Sequence, residues 1–383
     1  MIGVLCTSYP RSPDDPAGSF VRTRVRALAA AGQAIEVIAA GAGGETSEGN
    51  IRVFRIPGGG AAEIFYAGGA PEALESGGLG QRARAWLEAA HFTAGMMAQA
   101  VRRSAGWSAM ESHWLVPSAL VACAVAPRLP HRAHAHGGDV FLLARLPGGA
   151  SLARQLCRSG AELVFASADL RDRFARLCGD TAESLGARTC VQPAPFDSSL
   201  FRPRSVAERR GLRSRLGFHE FTVLAAGRLV PIKGYDVLVR SVGHLPLRER
   251  PTLVIAGAGP EESRLRSLAA ACAVDLRLPG LVSAASLAEW MAAADLFVHP
   301  CRSLPSGRSE GAPVVVREAL AAGLPVIASA QGGLPELAGH ERLTLVAPED
   351  PSALAAKIAR ARLATVAAIR VIEKSNLPAV AVT

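Results

Sequence analysis

The sequence predicts an α/β protein built from two doubly wound, parallel-sheet domains. Three observations carry that expectation. Short runs of Val, Ile, Leu and Ala, bounded by turn residues, alternate with longer helical patterns. The alternation restarts once, near the middle of 383 residues, a length that suits two domains. Aromatic residues make up only 5% and small aliphatic ones prevail, as expected where helices pack closely on both faces of a parallel sheet.

In the first half, Ile2–Cys6 reads as a strand, Ser19–Ala31 as a helix with an apolar stripe of Phe20, Val21, Val25 and Leu28, and Ile35–Ala39 and Ile51–Ile56 as strands. A glycine-rich segment, 57–80, reads as a mobile loop, and Gln81–Arg103 as a helix. Further alternation over 108–166 ends in a strand at Leu163–Ala166, followed by a helix at Asp169–Leu177 and a strand at Thr189–Gln192. The Pro- and Arg-rich stretch 196–220 shows no strand signal and reads as the linker, which divides the chain into domains 1–200 and 201–383. In the second half, strands are expected at Phe221–Ala226, Thr252–Ala256, Asp275–Leu278, Leu296–His299, Val326–Ser329 and Leu343–Val346. Helices are expected between them at Tyr235–Leu245, Glu261–Ala271, Ser286–Ala294 and Ala312–Ala322, and the last clear one at Ser352–Ala361. Two such halves would face each other across a crevice at the carboxyl ends of their strands, where open α/β sheets bind ligands.

The net charge is +9, and only three of the 42 basic residues are lysines. Such a balance suits an anionic substrate or an anionic membrane surface as well as simple compositional bias. No basic block with interleaved aromatics and no zinc-finger pattern points to nucleic acid. Seven scattered cysteines form no C-x-x-C pair, so neither a disulfide framework nor a zinc site is expected. Without a signal-like start or an apolar run of ~18 residues, the expectation is a cytoplasmic protein, with peripheral contact at the inner face of the membrane left open.

Four segments carry chemistry. In "AAGRLVPIKG" a strand exits at Gly227, and Arg228 and Lys233 sit on a loop before a helix N-terminus. Two cations and free amide N–H groups suit a diphosphate, and a solvated loop is the alternative. Lys233 is one of three lysines among 39 arginines, which points to a compact point charge at that spot. Gly18 precedes the first helix and would let amide groups approach a phosphate, with a plain loop as an equal alternative. Gly257-x-Gly259 alone is weak: a packing turn fits it as well as a phosphate contact. In "HAHGGDVF", His134 and His136 share a strand face, but without a third ligand of fitting spacing a metal is not expected. There His136 is the candidate polar hook in the crevice and a structural histidine is the alternative, with Asp139 beside it. In "RSEGAPVVVREALAAGLP", Glu310 and Glu318 stand eight positions apart. If helical throughout, they would be ~12 Å apart by rise. That exceeds the ~5–9.5 Å of a glycosidase pair, so contacts to two parts of one extended ligand fit better, with a solvated loop glutamate and an unrelated helix glutamate as the alternative.

Together these segments resemble the retaining glycosyltransferases of family 4, which have the GT-B fold of two Rossmann-like doubly wound domains facing a central cleft. The resemblance rests on "YPRSPDDPAGSFV", "HGGDVF", "QPAPFDSSLFRP", "GRLVPIKG" and "GRSEGAPVVVREALAAGLPVIASAQGGLPEL", in order over about residues 1–365. It implies transfer of a sugar from a nucleotide-diphosphate-sugar to an acceptor hydroxyl, in polysaccharide, glycolipid or glycoside synthesis, with no cofactor or metal beyond the co-substrate. Arg228 and Lys233 would hold the diphosphate, Glu318 the ribose and Glu310 the transferred sugar. Gly311 and Ala312 would supply amides, Leu281 and Val282 would lie by the base, and the Gly18 loop would close over the phosphates. His136 would sit by the sugar next to a sugar, lipid-linked or small-molecule acceptor. Other GT-B enzymes, such as a nucleotide-sugar epimerase or a sugar-phosphate synthase, share these motifs, as would a catalytically weak relative serving as a binding subunit. Arg317 stands where the family has an apolar residue, and the tail "RLATVAAIRVIEKSNLPAVAVT" differs from the family's long closing helix.

Overall fold

In a computed structural model of the chain, residues 1–57, 66, 78–186 and 188–375 are described. The predicted loop 57–80 lies outside them except for its ends and residue 66. The chain forms two compact units. One comprises Met1–Asp197 with Pro305–Val314 and Gly332–Glu336; the other comprises Ser198–Leu304, Val315–Gln331 and Leu337–Thr383.

The first unit runs β1 (Ile2–Cys6), α1 (Ser19–Ala30), β2 (Ile35–Gly41), β3 (Gly44–Glu48), β4 (Ile51–Pro57) and α2 (Leu79–Arg103). It continues with β5 (Ala109–His113), α3 (Leu120–Val125), β6 (His131–Ala135), α4 (Gly138–Arg145), α5 (Gly149–Arg158), β7 (Glu162–Phe165), α6 (Ala168–Cys178) and β8 (Thr189–Val191). The described strands form one sheet in the order β3-β4-β2-β1-β5-β6-β7-β8. All neighbours pair in parallel except β3 on β4. Every residue of β2 is buried, because helices cover both faces. On one face Val4, Val21, Val25 and Val37 pack together; on the other Leu5, Ile38, Phe54, Phe92 and Met96 do. The antiparallel edge strand β3 escaped the sequence reading for a physical reason. Its GETSE is exposed at every position, so it carries no apolar alternation. The strand order reverses between β1 and β5, and their carboxyl ends bear Cys6 and His113.

The second unit runs α7 (Val206–Leu216), β9 (Thr222–Ala226), α8 (Tyr235–Gly243), β10 (Thr252–Ala256), α9 (Glu262–Ala271), β11 (Leu276–Arg277) and α10 (Ala284–Ala293). After these come β12 (Leu296–His299), α11 (Val314–Ala321), β13 (Val326–Ser329), β14 (Leu343–Val346) and α12 (Pro351–Ser375). Its sheet order, β11-β10-β9-β12-β13-β14, is that of a dinucleotide-fold sheet with its switch between β9 and β12. Strands β9, β10, β12 and β13 are buried at every residue, as a sheet covered on both sides demands.

Three expectations change here. The stretch read as linker contains α7, started by a capping box in which Ser205 Oγ accepts from Glu208 N–H at 3.2 Å and Glu208 Oε2 accepts from Ser205 N–H at 2.8 Å. None of its residues is buried, so no apolar period marked it. Helix α11 begins at Val314 rather than Ala312, so the Glu310–Glu318 interval is not helical throughout and the ~12 Å rise does not apply. Helix α12 runs on to Ser375, through most of the tail expected to be atypical.

Candidate functional site

Each unit gathers chemistry at the carboxyl ends of its central strands. In the second unit β9 exits at Gly227, whose φ of 144° favours glycine. A Cβ there would stand 2.8 Å from Tyr235 Oη and 3.2 Å from Lys233 Cε, with Nζ at 3.6 Å. The missing side chain therefore makes room for the Lys233 ammonium directly above the strand exit. Gly234, at φ 65°, begins α8 and lies against the Pro300 carbonyl, which a Cβ would overlap. The Arg302 guanidinium donates to buried Asp236 in the first turn of α8, and Arg302 N–H donates to Ile232 O at 2.9 Å. Arg302 and Asp236 thus lock the Lys233 loop to the end of β12, a role the sequence reading missed. Arg228 and Lys233 are both partly buried on this loop.

The Gly-x-Gly resolves to packing. A Cβ on Gly257 would overlap Gly227 O, and one on Gly259 would stand 2.8 Å from Leu229 C. Gly257 bridges to Gly280, which ties the turn before Leu281 and Val282 to the exit of β10. Leu281 is 65% exposed, free for a flat ligand to cover. On α11, Glu318 is partly buried. Burial pushes its pKa up to about 7, against the opposing pull of Arg317.

In the first unit Gly18 starts α1 at φ 73°, pressed on the backbone of Ser8, whose carbonyl a Cβ would overlap. Arg55, from β4, holds this loop by donating to the carbonyls of Tyr9 (2.7 Å), Pro10 and Ala40 (3.2 Å). At the ends of β5 and β6 three imidazoles stack nearly parallel. His113 lies 4.6 Å from His134 and 5.3 Å from His136, with interplanar angles of 13° and 10°. Glu111, His113 and His134 bring ligand-type atoms within 4.8 Å of one another. Parallel stacked rings point their lone pairs side by side rather than at a common centre, which suits a tetrahedral ion poorly. Glu111 is in addition held by Arg24 in a bidentate pair, Nε to Oε2 at 3.1 Å and Nη2 to Oε1 at 2.5 Å. Arg24 and His134 keep its pKa at about 2 against the cost of burial.

The Asp139 carboxylate is buried and accepts from the amides of Leu115 (2.8 Å), Gly137 (2.8 Å) and His136 (3.1 Å). It shapes the His136 loop and has few lone pairs left for a ligand. Trp114, beside His136 at a ring distance of 5.1 Å, has φ 70°. For an aromatic side chain such backbone costs about 1–3 kcal/mol, and strain of this kind gathers at functional sites.

The Glu310 segment belongs to this unit. Gly311 stands against His136 and Gly137: a Cβ on it would be 3.2 Å from His136 O and 2.7 Å from Leu170 Cδ1. The Gly332-Gly333 turn closes over it, with Gly333 N–H donating to Gly311 O at 2.6 Å. Neither glycine has room for a side chain. The structure therefore brings Glu310, Gly311 and Ala312 beside His136 and Asp139 in one unit, while Arg228, Lys233, Leu281, Val282 and Glu318 lie in the other.

Residues 220–362 match the family model described as glycosyl transferases group 1. Over these residues the chain is similar to the group 1 glycosyltransferases. Over 219 residues it is 38% identical to the GDP-mannose-dependent alpha-(1-6)-phosphatidylinositol monomannoside mannosyltransferase of Mycobacterium tuberculosis, covering 56% of this chain and 55% of the relative. Over 263 residues it is 31% identical to the D-inositol 3-phosphate glycosyltransferase of Xylanimonas cellulosilytica, covering 66% and 58%. The chain thus spans little more than half the length of these relatives. Among solved structures, Anabaena Alr3699/HepE in complex with UDP superposes with a TM-score of 0.66 at 20% identity, over 95% of this chain and 90% of that one. The sucrose-phosphate synthase of Thermosynechococcus elongatus superposes with 0.70 at 21% identity, over 96% and 91%. These likenesses show the two-domain GT-B fold. The matched region contains the Lys233 loop, the Glu310 segment and α11 together.

Proposed function

We propose that the protein is a retaining glycosyltransferase moving a sugar from a nucleotide-diphosphate-sugar to an acceptor hydroxyl in glycolipid or polysaccharide synthesis. One observation carries the reading: the Lys233 ammonium sits over Gly227 at the switch point of the second sheet, where parallel α/β sheets take phosphate-bearing ligands. Lys233 and Arg228 hold the diphosphate and balance the charge that grows on it as the glycosidic bond to phosphate breaks. Glu318 accepts from the ribose hydroxyls, and Leu281 and Val282 lie along the base. Glu310 orients the sugar and steadies positive charge at its anomeric carbon, with the Gly311 and Ala312 amides beside it. The Gly18 loop offers the amides of the α1 N-terminus to phosphate oxygens. The acceptor hydroxyl attacks on the face the diphosphate leaves, and its proton passes to the departing phosphate oxygen, so the chain supplies no nucleophile. His136 meets the acceptor side, with Asp139 shaping its loop. No resident metal enters this reading, in keeping with the stacked rings of the histidine cluster.

The relatives named above make GDP-mannose the donor to test first, with a phosphoinositide-linked mannoside as acceptor. A membrane-linked acceptor also suits α2. Its exposed Leu79, Trp86, Leu87, Met97 and Val101 follow one another at helical spacing with Arg82, Arg84 and Arg102 nearby. Among the described residues no helix is long and apolar enough to cross a membrane. The site assignment is tested by Lys233→Ala and Glu310→Gln. Lys233→Ala raises the donor KM by at least tenfold with a smaller change in kcat. Glu310→Gln lowers kcat by at least a hundredfold with donor affinity nearly kept. Full activity in both variants rejects the assignment.

A further inference from the structure

The histidine stack contains a group that this mechanism does not use. His113 Nδ1 and His136 Nε2 lie 3.0 Å apart, so one proton lies between them. His113 Nε2 is buried and makes no hydrogen bond. The groups facing the pair come from three elements: Glu111 on β5, His134 on β6 and Arg24 on α1. Phe20 and Trp114 close the remaining sides of the His136 ring, at 4.7 and 5.1 Å.

Two arrangements of the shared proton are open to neutral rings. If His136 Nε2–H donates, the only proton of His113 sits on Nε2, where a buried N–H is stranded without an acceptor. If His113 Nδ1–H donates, His113 Nε2 is a bare lone pair, and no donor is stranded. Burial and the neighbouring His134 push both rings well below the usual histidine range, so neither holds a second proton near neutrality.

We propose that His113 is a positioning residue whose Nδ1–H fixes His136 as the Nδ1–H tautomer, so that His136 presents a hydrogen-bond donor to an oxygen of a sugar hydroxyl. This rests on the glycosyl-transfer reading for the identity of the ligand, but the tautomer itself does not. The consequence for the chemistry is specific. With Nε2 occupied by His113 and Nδ1 already protonated, His136 orients an oxygen and cannot take a proton from it. Removal of the acceptor proton is thereby left to the departing phosphate.

The test is long-range proton–nitrogen NMR on the full chain labelled at histidine, with His136 assigned by its loss in His136→Gln. The wild type is expected to show His136 with a protonated Nδ1 and a bare Nε2. His113→Asn, whose amide overlays Nδ1 and keeps a donor there, is expected to keep that pattern. His113→Phe is expected to shift His136 toward the Nε2–H tautomer that free imidazole prefers. A wild-type His136 with its proton on Nε2 overturns the proposal, as does a His113→Phe variant that folds and leaves His136 unchanged. The wild-type spectrum decides the matter even where a variant does not fold. Because no turnover is read, failure of the glycosyl-transfer reading leaves this outcome separately legible.

Discussion

Glu318 shows how one residue can couple binding to pH. Burial on α11 raises its pKa to about 7, with Arg317 pulling the other way. This gives Arg317 an effect: it keeps part of the Glu318 population ionised near neutrality. The folded-state value lies above the ordinary carboxylate value, so the folded chain binds the extra proton and this group's contribution to stability is lost as pH rises from about 4.5 through about 7. In the proposed function ribose hydroxyls donate to the ionised form, so donor binding would have the opposite sign. Its affinity is expected to be full above pH 7 and to fall up to tenfold per unit below it. Glu318→Gln should flatten that dependence, weaken donor binding at pH 8, and stabilise the free protein there by about 1–3 kcal/mol. Calorimetric titration and thermal melts across pH 5.5–8.5 check both signs. The place of Glu318 on a helix was legible in the apolar pattern around it; its raised pKa was not, because it depends on neighbours distant in sequence.

At the scale of elements, the segments that carry the proposed chemistry are held by close backbone contacts rather than by side-chain packing. Gly333 is the clearest case. A Cβ on it would meet Ser167 Cβ at 2.6 Å and overlap Gly311 O, so Gly333→Ala must displace the Glu310 segment. We expect a loss of about 1–3 kcal/mol and at least a tenfold fall in kcat. Gly211→Ala, on exposed α7 with nothing within 4 Å, should instead stabilise by about 0.5–1 kcal/mol and leave kcat unchanged. Melting curves and steady-state kinetics on the pair separate site displacement from generic substitution. Elements with a buried face were legible from sequence: β9, β10, β12 and β13 fall within a residue of their expected bounds because every residue in them except His299 is apolar or small. Elements without one were missed. The capping box Ser205-x-x-Glu208 was a readable signal for α7, hidden by the run of arginines after it. The Arg302–Asp236 lock and the His113–His136 contact join residues 66 and 23 positions apart. No local pattern encodes such pairs; only the strand order brings them together.

For the molecule as a whole, the excess of arginine reads differently once its partners are known. Arg250 donates to the carbonyls of Gly243, Leu245, Cys272 and Ala273, and Arg55 does the same for the loop before Gly18. Arg209 and Arg213 bind Asp295 at the start of β12. Much of the +9 net charge is therefore framework rather than a field reserved for a ligand, and Lys233 stands out for its place over Gly227. The central claim is sugar transfer with retention. Its most direct measurement incubates the full chain with GDP-, UDP- and ADP-sugars and a mannoside acceptor, then reads product mass and anomeric configuration. The account predicts a product one hexose heavier that keeps the donor's α configuration. Binding and turnover of none of these donors, or a product of inverted configuration, would contradict it.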